Sequence, residues 1–286
     1  MKIYIDGKYY GREDARISVF DHGFLYGDGV FEGIRVYNGR VFRLSEHIER
    51  LYGSAKAVLL EPPLGKAELE EAVAETVRLN GTVNGYIRLV VTRGKGLLGI
   101  DPSSCAKASV IIIVDDLRLY PDKYYRDGIE IVTASTRRIS SDSLDPRIKS
   151  LNYLNNIMAK LEAKAAGCLE AVMLNSDGFV AECTADNIFI VKDGVLMTPA
   201  PYCGALDGIT MRTVVGEAVK NGIRTLETTL TRYDLYTADE AFMTGTGAEV
   251  APVVKIDGRV VGDGAPGAVT GRLMRLFKEA VASYEG

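Results

Sequence analysis

The sequence predicts an α/β protein, of the mixed α+β kind, built as two domains in series. Three observations point there. A chain of 286 residues, 47% hydrophobic and 25% charged, is long enough to bury two cores. Short strand-like stretches closed by Asp-Gly and Asn-Gly turns alternate with apolar stripes of helical period. The pattern breaks once, near residues 115–127, where the chain is charged, aromatic and interrupted by Pro121. The expected division is a small N-terminal domain over residues 1–115, an interdomain loop over 116–127 and a larger C-terminal domain over 128–286.

In the first domain, strands are expected at residues 2–5 and 8–10 around Asp6-Gly7, and at 34–37 and 40–44 around Asn38-Gly39. Ser45 is placed to cap a helix whose apolar face runs Leu44, Ile48, Leu51, Ala55 and Val58, and Pro62-Pro63 ends it. A second helix over 69–79 stops at Asn80-Gly81, and strands follow at 85–92 and 108–114. Past the loop come a strand at 129–135, a helix at 151–166 and strands at 170–175 and 179–182. A hairpin over 187–198 turns at Asp193-Gly194, followed by a helix at 210–221 and a strand at 241–244. A last hairpin at 253–261 turns at Asp257-Gly258 before a helix over 269–283. No internal repeat or low-complexity segment interrupts this order.

Composition narrows the function. A formal net charge of −4 gives no electrostatic reason for a nucleic-acid or anionic-membrane partner, so a small metabolite is expected. Neither a leader pattern nor an apolar run of membrane-spanning length occurs, which leads to the expectation of a cytoplasmic protein. Cys105, Cys168, Cys183 and Cys203 are far apart, and His22 and His47 are the only histidines, so no metal site is expected. There is no GxSxG elbow, no P-loop and no GxGxxG after a strand, which argues against a serine hydrolase and a nucleotide site.

Other residues suit a phosphate ligand and a reactive amine. Gly208-Ile209-Thr210 opens a helix, where unpaired N–H groups favour an anion. Gly245-Thr246-Gly247 follows a strand and can form a second backbone nest. Arg50 lies one residue off the apolar stripe of its helix, where a guanidinium can grip a phosphate or remain a solvated edge. Lys149, in a segment short of charge partners just ahead of a helix, can be desolvated and nucleophilic. Glu182 ends a strand where a carboxylate can pair with a protonated ring nitrogen or tether the next turn. Tyr86 and Arg88 are two apart on a strand and project to one face, able together to bind a carboxylate. The run from Phe24 to Gly33 mixes glycines with aromatics, as an apolar wall close to a ligand or an ordinary core would.

Taken in order, Asp21-His22-Gly23, the stretch Tyr26-Gly27-Asp28-Gly29-Val30-Phe31-Glu32-Gly33-Ile34-Arg35, His47-Ile48-Glu49-Arg50-Leu51, Lys149-Ser150-Leu151-Asn152-Tyr153, Glu182, Gly208-Ile209-Thr210 and Gly245-Thr246 resemble the class IV aminotransferases. Within that class the chain resembles the branched-chain amino acid aminotransferases. The resemblance implies a fold-type IV enzyme with a small α/β domain and a larger pseudo-barrel domain, dimeric or hexameric. It implies pyridoxal 5′-phosphate held by Lys149 as a Schiff base, with Lys149 as general base, Glu182 on the pyridine nitrogen and Tyr153 on the ring hydroxyl. Arg50, Leu206, Ile209, Thr210 and Thr246 would complete the cofactor site. Tyr26, Phe31, Arg35, Tyr86 and Arg88 would bind substrate, with the turn Thr246-Gly247-Ala248 receiving the α-carboxylate. The implied reaction moves the amino group of leucine, isoleucine or valine to 2-oxoglutarate. D-amino acid or (R)-amine transamination, aminodeoxychorismate lysis and non-catalytic binding of a phosphorylated ligand are the alternatives. The sequence departs from the family pattern at Gly247, at Cys183 and Ala185, and in the interdomain loop, which has no tryptophan.

Overall fold

The computed structural model describes residues 1–116 and 120–284. Residues 1–116, 148–152 and 284 cluster as one compact unit, and residues 120–147 and 153–283 as a second. Of the connector read as a loop over 116–127, residues 117–119 lie outside the described residues.

The first unit carries β1 (Lys2–Ile5), β2 (Lys8–Gly11), α1 (His22–Tyr26), β3 (Gly29–Tyr37), β4 (Arg40–Val41), α2 (Leu44–Ala57), α3 (Lys66–Asn80), β5 (Gly85–Thr92) and β6 (Ser109–Asp115). Its six strands run β2-β1-β6-β5-β3-β4, each pair antiparallel. One face is covered by α2 and α3, so Val30, Ile34 and Val36 of β3 and Ile87, Leu89 and Val91 of β5 pack with Ile48, Leu51, Leu69 and Val73. The two-residue period of the strands sends the alternate residues, Phe31 and Arg88 among them, to the other face.

The second unit carries α4 (Asp122–Asp127), β7 (Ile129–Thr133), α5 (Leu154–Ala165), β8 (Glu170–Leu174), β9 (Val180–Cys183), β10 (Asn187–Lys192), β11 (Val195–Pro199), α6 (Ile209–Lys220), β12 (Thr225–Thr228), α7 (Arg232–Tyr236), β13 (Glu240–Gly245), β14 (Glu249–Ile256), β15 (Arg259–Val260) and α8 (Ala268–Ala282). Its sheet runs β12-β11-β10-β13-β14-β7-β8-β9, with β15 on β14. The terminal strand β9 also approaches β10, which curls the sheet toward closure as a pseudo-barrel requires. Strands β8, β9 and β10 of this sheet, and most of β13, are buried on both faces, as those of an enclosed sheet must be.

Several elements differ from their sequence reading. The helix expected to be capped by Ser45 starts at Leu44 on Arg43, a left-handed residue (φ 52°), and Ser45 lies inside its first turn. Residues 122–127, expected as loop, form α4, with Pro121 ahead of it, Asp122 in the first turn and Arg126 in the last. The helix expected from residue 151 begins at Leu154, because the preceding segment is held extended beside β3. The short elements α1, β12 and α7 carry too few residues to show a period in sequence.

Candidate active site

In the first unit the lysine is positioned through its backbone. The Lys149 carbonyl accepts from Phe31 N–H at 2.9 Å, Ser150 bridges Val30, and Leu151 N–H donates to the Gly29 carbonyl at 2.9 Å. On the other side, Lys149 N–H donates to Ser54 Oγ of α2 at 3.1 Å. Residues 148–151 thus border β3, and the half-buried amine of Lys149 lies 4.8 Å from the centroid of the Phe31 ring.

Phe31 is shared. The Arg88 guanidinium lies 4.5 Å from the same ring and 5.5 Å from that of Tyr86, and Arg88 donates to Tyr86 Oη at 3.3 Å. The register Gly33↔Arg88 and Arg35↔Tyr86 explains why these four meet on one face. A Cβ on Gly33 would stand 1.9 Å from Tyr86 Oη, so glycine there is what lets the phenol cross β3. Arg35 lies over Tyr37 at 5.1 Å, and Tyr26, at the end of α1, accepts from Gly99 N–H at 2.9 Å.

On the opposite face of β3, Arg50 is bound to a carboxylate. Its Nε and one terminal nitrogen reach the two oxygens of Glu32 at 2.8 and 2.7 Å, and His47 Nδ1 stands 2.7 Å from the second oxygen. Glu32 is fully buried; burial would raise its pKa, but Arg50 and then His47 hold it well below the usual carboxylate range. Burial lowers the His47 pKa against the pull of Glu32, with the charges of Arg50 and Lys149 adding to the lowering.

In the second unit Glu182, near the end of β9, is 5% exposed. Arg138 Nε donates to one of its oxygens at 3.0 Å and Leu206 N–H to the other at 2.9 Å. Arg138 in turn donates to Oδ1 of Asn155 and of Asn156, each at 3.3 Å, on the first turn of α5, which also follows Tyr153. The helix α6 starts on Gly208, where a Cβ would come within 2.0 Å of Asn187 Oδ1; glycine therefore brings the helix start against β10. Ile209 and the buried Thr210 occupy its first turn, where backbone N–H groups lack helical acceptors. Thr246 and Gly247 are half-buried in the turn between β13 and β14, and Ala248 there is buried.

The first unit therefore holds Lys149, Phe31, Tyr86 and Arg88 together, with Arg50 set by Glu32. The second joins Glu182 to the backbone of Leu206. Sequence reasoning missed Arg138, Glu32 and His47 as functional candidates. A signal existed for two of them: Glu32 interrupts a run of core positions on β3, and His47 sits three residues before Arg50 on the same helix face. Among the described residues no cluster of His, Cys, Asp or Glu could hold a metal ion.

The family described as amino-transferase class IV matches residues 29–256. The chain is 52% identical to a putative branched-chain-amino-acid aminotransferase of Methanocaldococcus jannaschii, over 98% of this chain and 96% of that one. It is 36% identical to a D-alanine aminotransferase of Bacillus licheniformis, over 99% of this chain and 98% of that one. A crystal structure of the branched-chain aminotransferase from the archaeon Thermoproteus uzoniensis with norvaline superposes with a TM-score of 0.93 at 41% identity, covering 100% of this chain and 96% of that one. With two compact α/β units, a lysine set beside an aromatic wall and a buried carboxylate at a strand end, this chain belongs to the class IV aminotransferases.

Proposed function

We propose that the chain transfers amino groups between the branched-chain L-amino acids leucine, isoleucine and valine and 2-oxoglutarate, giving branched-chain 2-oxo acids and L-glutamate, with pyridoxal 5′-phosphate as cofactor. The observation that carries the substrate choice is the Arg88 guanidinium lying over Phe31 beside Tyr86. One site must accept an aliphatic side chain in one half-reaction and a second carboxylate in the other. An aromatic face offers the apolar contact, and the arginine edging it offers the charge.

The donor set fits the cofactor group by group. Lys149 supplies an amine for its aldehyde carbon, the buried Glu182 a carboxylate for the ring nitrogen, and Tyr153 a phenol for the ring hydroxyl. Arg50, the Ile209 and Thr210 amides and the hydroxyls of Thr210 and Thr246 supply donors for the phosphate. When bound, the cofactor provides the electron sink that makes the substrate Cα–H acidic. Lys149 Nζ takes and returns that Cα proton. Glu182, paired with Arg138, would accept a hydrogen bond from the protonated ring nitrogen and so favour its protonated form. Tyr26 and Phe31, with Arg35 behind them, would form the apolar pocket, and Tyr86 with the Gly247 and Ala248 amides would receive the α-carboxylate.

The enzyme works in the cytoplasm as a homodimer or a larger homo-oligomer, a hexamer included. Four free cysteines fit a reducing compartment. Phe24, Leu97, Leu98 and Ile100 of the first unit are large apolar side chains left exposed, which burial against a second copy would cover. No helix among the described residues is long and apolar enough to cross a membrane.

The test is a substrate panel on the purified protein. Turnover of L-leucine, L-isoleucine and L-valine with 2-oxoglutarate should exceed that of D-alanine, (R)-phenylethylamine and aminodeoxychorismate, and Lys149→Ala should abolish it. Faster turnover of D-alanine would overturn the substrate reading. Absence of all turnover in a chain that still binds the cofactor would leave a binding protein.

A further inference from the structure

No step above uses Glu32 or His47, yet a carboxylate in the middle of a hydrophobic cluster is costly to bury unless it is fully partnered. Glu32 occupies such a position: Val30, Ile34 and Val36 on the same face of β3 are each 0% exposed. Its partners both come from α2, where His47 and Arg50 stand three residues apart and project together. We propose that Glu32 and His47 are positioning residues that orient the Arg50 guanidinium for the cofactor's phosphate. This rests on the reading of Arg50 as a phosphate ligand.

The fork geometry supports the role. Two parallel bonds from Nε and a terminal nitrogen fix the plane of the guanidinium and with it the side-chain rotamer. An arginine held this way gives up little rotamer freedom when it meets an anion. His47 then restrains the carboxylate itself, since a donor at 2.7 Å on Oε2 opposes rotation about the Glu32 side-chain axis. With its pKa lowered by burial the imidazole is neutral at pH 7, and a ring nitrogen facing an ionised oxygen must carry the hydrogen, so Nδ1 is the donor. His47 therefore adds a hydrogen bond and no charge. What the pair supplies to Arg50 is direction, because the Glu32 charge by itself would weaken the attraction of Arg50 for an anion.

The role makes a phosphate-specific signature. The full-length holoenzyme is stripped and reconstituted with pyridoxal phosphate or with pyridoxal, which lacks the phosphate, and both dissociation constants are measured for wild type, Glu32→Gln, His47→Ala, His47→Asn and Arg50→Gln. A glutamine at position 32 keeps the shape but offers one acceptor oxygen and turns an NH2 toward a donor. Glu32→Gln should weaken pyridoxal phosphate by on the order of tenfold or more while leaving pyridoxal unchanged. His47→Ala should show the same selective loss, and His47→Asn, which retains a donor, should restore most of it. Equal losses for the two ligands, or none, overturn the positioning role. If Arg50→Gln shows no phosphate-selective loss, the reading of Arg50 fails instead. If Glu32→Gln does not accumulate as folded protein, the comparison of His47→Ala with His47→Asn decides.

Discussion

Arg138 Nε stands 3.0 Å from Glu182 Oε1, with 7% of each side chain exposed, so the second unit pairs its key carboxylate with a buried guanidinium 44 residues away. Removing one member of such a pair strands the other in a poorly solvating interior. Arg138→Met should destabilise the protein by about 3 to 5 kcal/mol in denaturant unfolding, with Arg138→Lys recovering part of the loss. A change below about 0.5 kcal/mol would show that water or another donor already serves Glu182.

Gly33→Ala tests the crossing of Tyr86 over β3. The added Cβ would meet the far end of a side chain, Tyr86 Oη, at 1.9 Å, so the phenol must move while the strand can remain. The expected result is a fall in kcat/KM of roughly tenfold or more with a shift in melting temperature of only a few degrees. Unchanged kinetics would mean that Tyr86 has no part in substrate binding.

Arg88→Gln removes the charge over Phe31 and keeps polarity and length. Use of glutamate and 2-oxoglutarate should fall by about 10- to 100-fold in kcat/KM, the weight of a charge-assisted hydrogen bond. The half-reaction with leucine, followed in single turnover, should change much less. Equal losses in both half-reactions would assign Arg88 to the α-carboxylate instead.

The Glu32 cluster also sets a pH dependence. His47 has its pKa lowered from 6.5 and Glu32 from 4.5, so in both cases the unfolded chain binds a proton more readily than the folded one. Stability from such groups is present above their unfolded pKa and is lost as pH falls. The His47 contribution should begin to disappear below 6.5 and that of Glu32 below 4.5. Melting temperatures between about pH 7 and pH 5 should fall more steeply for wild type than for His47→Asn, which has no group titrating there. Parallel slopes would show that His47 is solvated or charged in the folded protein.

Turns were the most legible part of the fold. Asp6-Gly7, Asn38-Gly39, Asp193-Gly194 and Asp257-Gly258 all have positive φ at both residues, which is why those residue types stand there. Helix starts were less legible: Ser45 is a good capping residue by chemistry, yet Arg43 takes the boundary after the hairpin. The segment around Lys149 has the composition of a helix approach, and only its pairing to β3, more than a hundred residues earlier, makes it extended. Residue order pointed to Lys149, Glu182 and Arg50 as candidates. Their partners Arg138, Glu32 and His47 were harder to see, because a buried charge chooses its counterpart in space, through contacts that local sequence does not encode.

The discontinuity of the first unit bears on how this protein could be taken apart. Residues 148–152, which carry Lys149, cluster with residues 1–116 although a long stretch of the second unit precedes them. A gene cut once between the units would give a first fragment missing the strip that borders β3, and a second fragment carrying that strip away from its neighbour. Neither half could inherit the lysine in its native setting. Modular shuffling of the two units, in evolution or in the laboratory, therefore needs a nested insertion in place of a simple fusion.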